Sequence, residues 1–268
     1  MTESLPPDIE TGMREAARNL GPFADRVSYF TTVSSTNDVA ARMATAGAAD
    51  GTVVLAGAQT AGRGRGGHVW FSPPETGLYF SLVLRGIESA IVTLMAGVAV
   101  AESIRESTGL RVDLKWPNDV VVSGGVPGLN PRKIAGILTE TSTGRASRDA
   151  IVLGIGINVS NTDYPPELAT VGFSIERALG APVDRARVFV TTLASLARWR
   201  DVLLAGELKG LRERWSALAP SSVGSPVSWL GERSRREGVT AGLDVDGALL
   251  VTRGCRTERI VGGDLTWL

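Results

Sequence analysis

Residues 132–160 read RKIAGILTETSTGRASRDAIVLGIGINVS. The two flanks, RKIAGILTETS (132–142) and RDAIVLGIGINVS (148–160), are rich in Ile, Val, Leu and Thr, and the polar segment TGRAS joins them. Such runs across a short polar connection predict two strands paired antiparallel. Side chains alternate between the faces of a strand, so Gly154 and Gly156 of GIGIN leave one face bare, against which a flat ligand can lie. The same alternation predicts Lys133 and Ala135 on one face, Ile134 and Gly136 on the other. GIGIN superficially has the look of a dinucleotide fingerprint, but no third glycine or helix follows, and NVSNTDYPP reads as loop.

Working outward, TVVLAGAQ (52–59) and GLYFSLVLR (77–85) are β-rich runs flanking a glycine loop. VDLKWPNDVVV (112–122) has strand-like halves around Pro117, Asn118 and Asp119, turn formers that cannot continue a ladder. Helices are predicted after the N-cap residues of VSSTND (33–38), over 89–107 with Gly109 as the stop, over 184–206, and over 207–220 ended by Pro220. From SSVGSP (221–226) onward, short strands with Asp-Gly and Gly-Gly turns replace helical periodicity. The expected organisation is an N-terminal lead-in (1–26) with one short helix at 9–19, an α+β domain (27–220) with a mixed, mainly antiparallel sheet, and a small β module (221–268).

Composition narrows the function. Lys+Arg and Asp+Glu are both 28, so a general polyanion binder is disfavoured and no nucleic-acid partner is expected. A single cysteine, Cys255, excludes an intrachain disulfide, and with a single histidine, His68, a Cys/His zinc site is out of reach. The N-terminus lacks the basic start and apolar run of a signal peptide, and no apolar segment approaches the ~20 residues of a membrane span. A cytoplasmic protein without membrane contact is expected.

The glycine loop, AQTAGRGRGGHVWFS (58–72), carries Arg63 and Arg65, and no acid occurs in sequence between Asp50 and Glu75. Glycines let backbone N–H groups converge on an anion, and guanidinium forks suit carboxylate and phosphate oxygens. The loop therefore predicts an anionic ligand.

Taken in order, SSTND (34–38), QTAGRGRGGHVWFSP (59–73), GLYFSLVLR (77–85), KWPNDV (115–120), RKIAGILTE (132–140) and GIGINV (154–159) resemble the biotin protein ligases. AGLDVDGALLV (241–251) and GGDL (262–265) resemble that family's SH3-like C-terminal domain. The resemblance implies the class II synthetase-like biotinyl/lipoyl ligase fold plus a small SH3-like β-barrel. It also implies that ATP and biotin are substrates, with Mg²⁺ accompanying ATP, and that the partner is a biotin carboxyl carrier domain of an acyl-CoA carboxylase. Members that act as repressors carry an N-terminal winged helix, so the short lead-in implies the ligase-only form. Monomer and weak homodimer both remain open.

Residue by residue, the resemblance implies that Lys133 lies between the biotin carboxylate and the α-phosphate, with Arg65 and Asp119 completing the catalytic set. Biotin would meet Ser35, Thr36, Asn37, Gln59, Gly62, Arg63, Lys133, Gly136, Gly154 and Gly156. The nucleotide would meet Arg63, Arg65, Trp70, Asn118, Lys133 and Asn158, with Trp70 stacked on adenine. Gly66 and His68 stand where arginine is frequent in the family. The nearest rivals are a lipoate ligase, whose Arg-Arg-x-Ser-Gly-Gly-Gly loop is absent here, and a binding protein that keeps the fold without turnover.

Overall fold

The computed structural model describes residues 2–87, 89–122, 131–144, 147–168, 170, 172–230, 234–263 and 265–268. The first part of the chain runs α1 (Pro7–Ala16), β1 (Val27–Val33), α2 (Thr36–Thr45), β2 (Thr52–Gln59), β3 (Gly77–Arg85) and α3 (Ser89–Thr108). Then come β4 (Asp113–Lys115), β5 (Asp119–Val122), β6 (Arg132–Gly144), β7 (Ser147–Asn158), α4 (Ile175–Leu179), α5 (Arg185–Leu204) and α6 (Leu208–Leu218). Among the described residues β1 to β7 form one sheet in the order β1-β2-β3-β7-β6-β5-β4. β1 pairs parallel with β2, and the other neighbours pair antiparallel. This is the mixed, mainly antiparallel sheet expected; residues 145–146 of the connecting TGRAS lie outside the described residues.

The two faces of the sheet are covered unequally. α3, α5 and α6 bury one face in the main core, where Phe80 of β3 meets Phe189 of α5 edge to face at 5.2 Å. Each such buried side chain contributes about 1.5–3 kcal/mol relative to exposure. α3 is apolar nearly all round and accordingly sits inside, and Gly109 (φ 73°) ends it with its N–H on Arg105 O at 3.0 Å. On the opposite face, among the described helices, it is α2 that packs, through Val39, Ala40 and Ala44, on Val54, Val83 and Val152. Ser35 occupies the N-cap of α2, although its hydroxyl makes no capping bond.

Beyond α2 that face is left to glycine-bearing strands, and here one expectation is corrected. β5 pairs Val120 with Ala135 and Val121 with Lys133, so Ile134 is the extra residue of a β-bulge. The bulge resets the alternation and brings Lys133 to the face of Gly136: its Nζ would lie 3.1 Å from a Cβ placed on Gly136.

The lead-in meets the outer edge of β1 at Glu3. Glu3 N donates to Tyr29 O at 3.0 Å, and Thr31 N donates to the Glu3 carboxylate at 3.1 Å. The short helix expected at 9–19 is α1, which packs on α5 through Ile9 and Met13 and is followed by a 3₁₀ turn over Ala17–Asn19.

A second sheet follows, of β8 (Val223–Leu230), β9 (Arg235–Leu243), β10 (Leu249–Arg253), β11 (Arg256–Ile260) and β12 (Leu265–Trp267). Among the described residues its order is β11-β10-β9-β8-β12, antiparallel throughout. Asp264 of GGDL lies outside them. Trp116 Nε1 donates to Gly247 O at 3.2 Å and Arg212 to Val245 O at 2.9 Å, tying this sheet to the first part of the chain.

Candidate active site

Cross-strand pairing puts Tyr79, Gly156, Gly136, Asp119 and Lys115 in one row across five strands. Ser81, Gly154 and Leu138 form the next row of the same face. The three glycines make a floor without side chains of its own. Thr36 and Asn37, opening α2, and Gln59, ending β2, form its polar wall. Thr36 N donates to Gln59 Oε1 at 2.8 Å, and the Ser81 hydroxyl lies 2.7 Å from Thr36 Oγ1 and 2.6 Å from Asn37 Oδ1. Asn37 covers the Gly154 part of the floor: a Cβ there would fall 2.2 Å from Asn37 Oδ1.

Over this site the glycine loop folds back on itself. Trp70 N donates to Gly62 O at 2.9 Å and Gly64 N to His68 O at 2.7 Å, and the tip turns at Gly66 (φ 67°), a conformation that suits glycine. Trp70 then lies on the rest of the floor. A Cβ on Gly156 would stand 2.3 Å from its indole and one on Gly136 2.8 Å, so only glycine admits this approach. The cavity that remains has about 30 Å³ free, too little for an organic ligand, whose sites run to hundreds of Å³. Among the described residues the buried Trp70 Nε1 has no hydrogen-bond partner, which costs about 1–3 kcal/mol. The Trp70 indole, expected at adenine, lies here on the glycine floor, packed on Gly136 and Gly156 with the Lys133 ammonium 5.2 Å from its ring centroid.

Lys133 stands at the edge of the floor. Its Nζ is 2.6 Å from Asp119 Oδ1 and 5.2 Å from the Trp70 ring centroid. Lys115 is next in the row, and burial first, with Lys133 adding, pushes its ammonium below the ordinary lysine range against the pull of Asp119. Asn118 clamps the strand beside Lys133: its Nδ2 donates to Ile137 O at 2.8 Å and its carbonyl accepts from Ile137 N at 3.0 Å.

The two loop arginines diverge. Arg63, which has no acid nearby in sequence, finds two in space. Its guanidinium pairs with Asp38 and, at 2.8 Å, with Glu140, and Asp38 foremost pushes its pKa further up. Arg65 instead reaches the second sheet, with Nη1 3.5 Å from Gly263 O.

Of the residues expected at the site, the cavity gathers Ser35, Thr36, Asn37, Gln59, Arg63, Trp70, Asn118, Lys133, Gly136, Gly154 and Gly156. Asp119 joins them through Lys133, whereas Gly62 lies at the crossing of the loop. Asn158 turns aside, its Nδ2 donating to Phe173 O at 3.1 Å. Sequence reasoning missed Ser81, Ser72, Asp38 and Glu140. Glu140 was within reach, since it follows Gly136 and Leu138 at period two on one strand face; Ser81 and Ser72 carried no signal. Among the described residues no group of three or more His, Cys, Asp or Glu is placed to hold a metal. Among them too, no helix is long and apolar enough to cross a membrane.

The site is thus a glycine-floored sheet face under an arginine loop, with a strand-borne lysine at its rim. The solved biotin protein ligase from Aquifex aeolicus in complex with biotin and ATP has this fold, with a TM-score of 0.76 and 27% identity over 91% of this chain and 99% of that one. The Biotin/lipoate A/B protein ligase family matches residues 29–158. The bifunctional ligase/repressor BirA of Bacillus subtilis is 33% identical over 244 residues, covering 88% of this chain and 72% of that protein. The biotin–acetyl-CoA-carboxylase ligase of Mycobacterium tuberculosis is 30% identical over 285 residues, covering 98% and 97%. The chain belongs to the biotin/lipoate A/B protein ligase family.

Proposed function

We propose that this protein is a biotin protein ligase: it activates biotin with ATP as biotinyl-5′-AMP, releasing pyrophosphate, and passes the biotinyl group to a lysine of a biotin carboxyl carrier domain. The observation that carries the reading is the Gly136–Gly154–Gly156 floor with Lys133 at its rim. A neutral bicycle suits that floor, and its planar ureido head suits the polar wall of Thr36, Asn37 and Gln59.

In the first step a biotin carboxylate oxygen bonds to the α-phosphorus and the bond to the bridging oxygen of the β-phosphate breaks. Two such anions ~4 Å apart repel by ~4 kcal/mol at an effective dielectric of ~20. Lys133 supplies the cation between them, and Arg65 brings a second when the loop leaves its contact with Gly263. Trp70 must vacate the floor for biotin and is then free to stack on adenine. In the second step the neutral carrier amine bonds to the acyl carbon, the carbon–oxygen bond to AMP breaks, and the amine loses a proton. Asp119, 2.6 Å from Lys133, is the carboxylate placed to take it.

On this reading residues 27–220 form the catalytic unit, residues 221–268 a second module, and 1–26 a lead-in that meets the β1 edge at Glu3. An exposed free Cys255 suits a reducing cytoplasm. The test is transfer of labelled biotin to an isolated carrier domain by the purified protein with ATP. Covalent label on the carrier lysine is expected, falling about a hundredfold or more in Lys133→Ala while the thermal midpoint stays within a few degrees. No labelling by the wild type, or equal labelling by lipoate, would refute the reading.

A further inference from the structure

The polar wall of the glycine floor is also the anchor of the loop, at both ends. At one end Arg63 Nη2 lies 2.8 Å from Glu140 Oε2, and the same oxygen accepts from Asn37 Nδ2 at 2.6 Å. At the other end Trp70 O accepts from Ser72 Oγ at 3.0 Å, Ser72 accepts from Gln59 Nε2 at 2.8 Å, and Gln59 Oε1 accepts from Thr36 N. Between the ends, Ser81 joins Thr36 to Asn37. We infer that Glu140 is a positioning residue that orients Asn37 toward the acyl substrate and, through Arg63, couples occupancy of the floor to closure of the loop. The inference rests on the biotin reading above.

An Asn amide has two faces, and the network decides which one the floor meets. A carboxylate accepts only, so Glu140 fixes the NH₂ of Asn37 outward and turns its oxygen over Gly154. That oxygen accepts from the Ser81 hydroxyl at 2.6 Å and keeps a second lone pair for the ring head of the substrate. A cyclic urea brings N–H donors to it; a dithiolane brings none. Glu140 thus favours a urea-bearing acyl group without touching it.

The second half of the coupling is electrostatic. Arg63 divides its guanidinium between Glu140 and Asp38, the residue after Asn37, so the loop is fastened to the same turn that carries the wall. These three side chains are 36–40% exposed. Exposed ion pairs add little to global stability, so the effect of breaking this one falls on the site and not on the fold.

Two variants separate the roles. In Glu140→Gln the amide oxygen still accepts from Asn37 but the charge facing Arg63 is gone. The KM for biotin should stay within about threefold, while free biotinyl-adenylate escapes about tenfold faster. In Glu140→Ala both functions go: the biotin KM and the calorimetric Kd should rise about tenfold as well, with the ATP KM and saturating kcat within about threefold of wild type. Variants that match wild type in biotin affinity and adenylate escape would overturn the inference while the ligase reading stands. So would an ATP KM rising in step with that for biotin, the mark of general damage. A wild-type protein inert toward biotin would overturn both.

Discussion

A methyl group on Gly156 would meet the Trp70 indole at 2.3 Å, and a flat substrate would meet it as closely. Trp70 stands outside any strand of the sheet and can yield; a bicycle confined by Thr36, Asn37 and Gln59 cannot. Gly156→Val should therefore fold normally yet lose biotin-dependent pyrophosphate release about a hundredfold or more, with the loss in KM for biotin. An unchanged KM would place the substrate elsewhere. These glycines, Lys133 and the loop arginines were legible in the sequence because their chemistry is local: a bare face, a charge on a strand, a fork in a flexible turn. The partners of Arg63 were not, because Asp38 and Glu140 come to it across 25 and 77 residues. Nor was the resting place of Trp70, since an aromatic ring fits an apolar core, an adenine and a glycine floor equally well by type.

At the scale of elements, the strands and helices follow from periodicity and punctuation, but the register between strands does not. The bulge at Ile134 is the instructive case. Period-two reading assigns Lys133 to the face opposite Gly136, and one extra residue reverses it. Nothing in RKIAG announces the insertion, because it is set by pairing with β5. Helix packing is anchored by another contact unreadable in advance. Glu102 of α3 accepts from Ser195, Arg198 and Trp199 of α5 and from Arg214 of α6. Burial alone would raise its pKa, but these donors outweigh it and hold the carboxyl below the usual range. A depressed carboxyl stabilises the fold above its unfolded pKa of ~4.3 and loses that contribution as pH falls through the lower folded value. Urea midpoints measured between about pH 5 and pH 3 should fall more steeply for wild type than for Glu102→Gln. Parallel curves would remove Glu102 from the acid response.

Across the whole molecule, Arg65 joins Trp116 and Arg212 in reaching the second sheet, and it borders a cleft of about 310 Å³ that shares Asn118 with the glycine-floored cavity. Opening of the loop would break a contact with the second sheet as well as one with the glycine floor. Arg65→Gly should retain part of the adenylation rate while releasing several-fold more free biotinyl-adenylate, read by trapping the released intermediate. No extra release would mean that this arginine does not help retain the intermediate. The central claim is that two anions are joined above Gly136 and Gly156 beside the Lys133 ammonium. Biotin-dependent exchange of pyrophosphate into ATP, measured without any carrier, tests it most directly. Exchange is expected with biotin, none with lipoate, and a collapse in Lys133→Ala; absence of exchange with biotin, or exchange undiminished in that variant, would refute the mechanism.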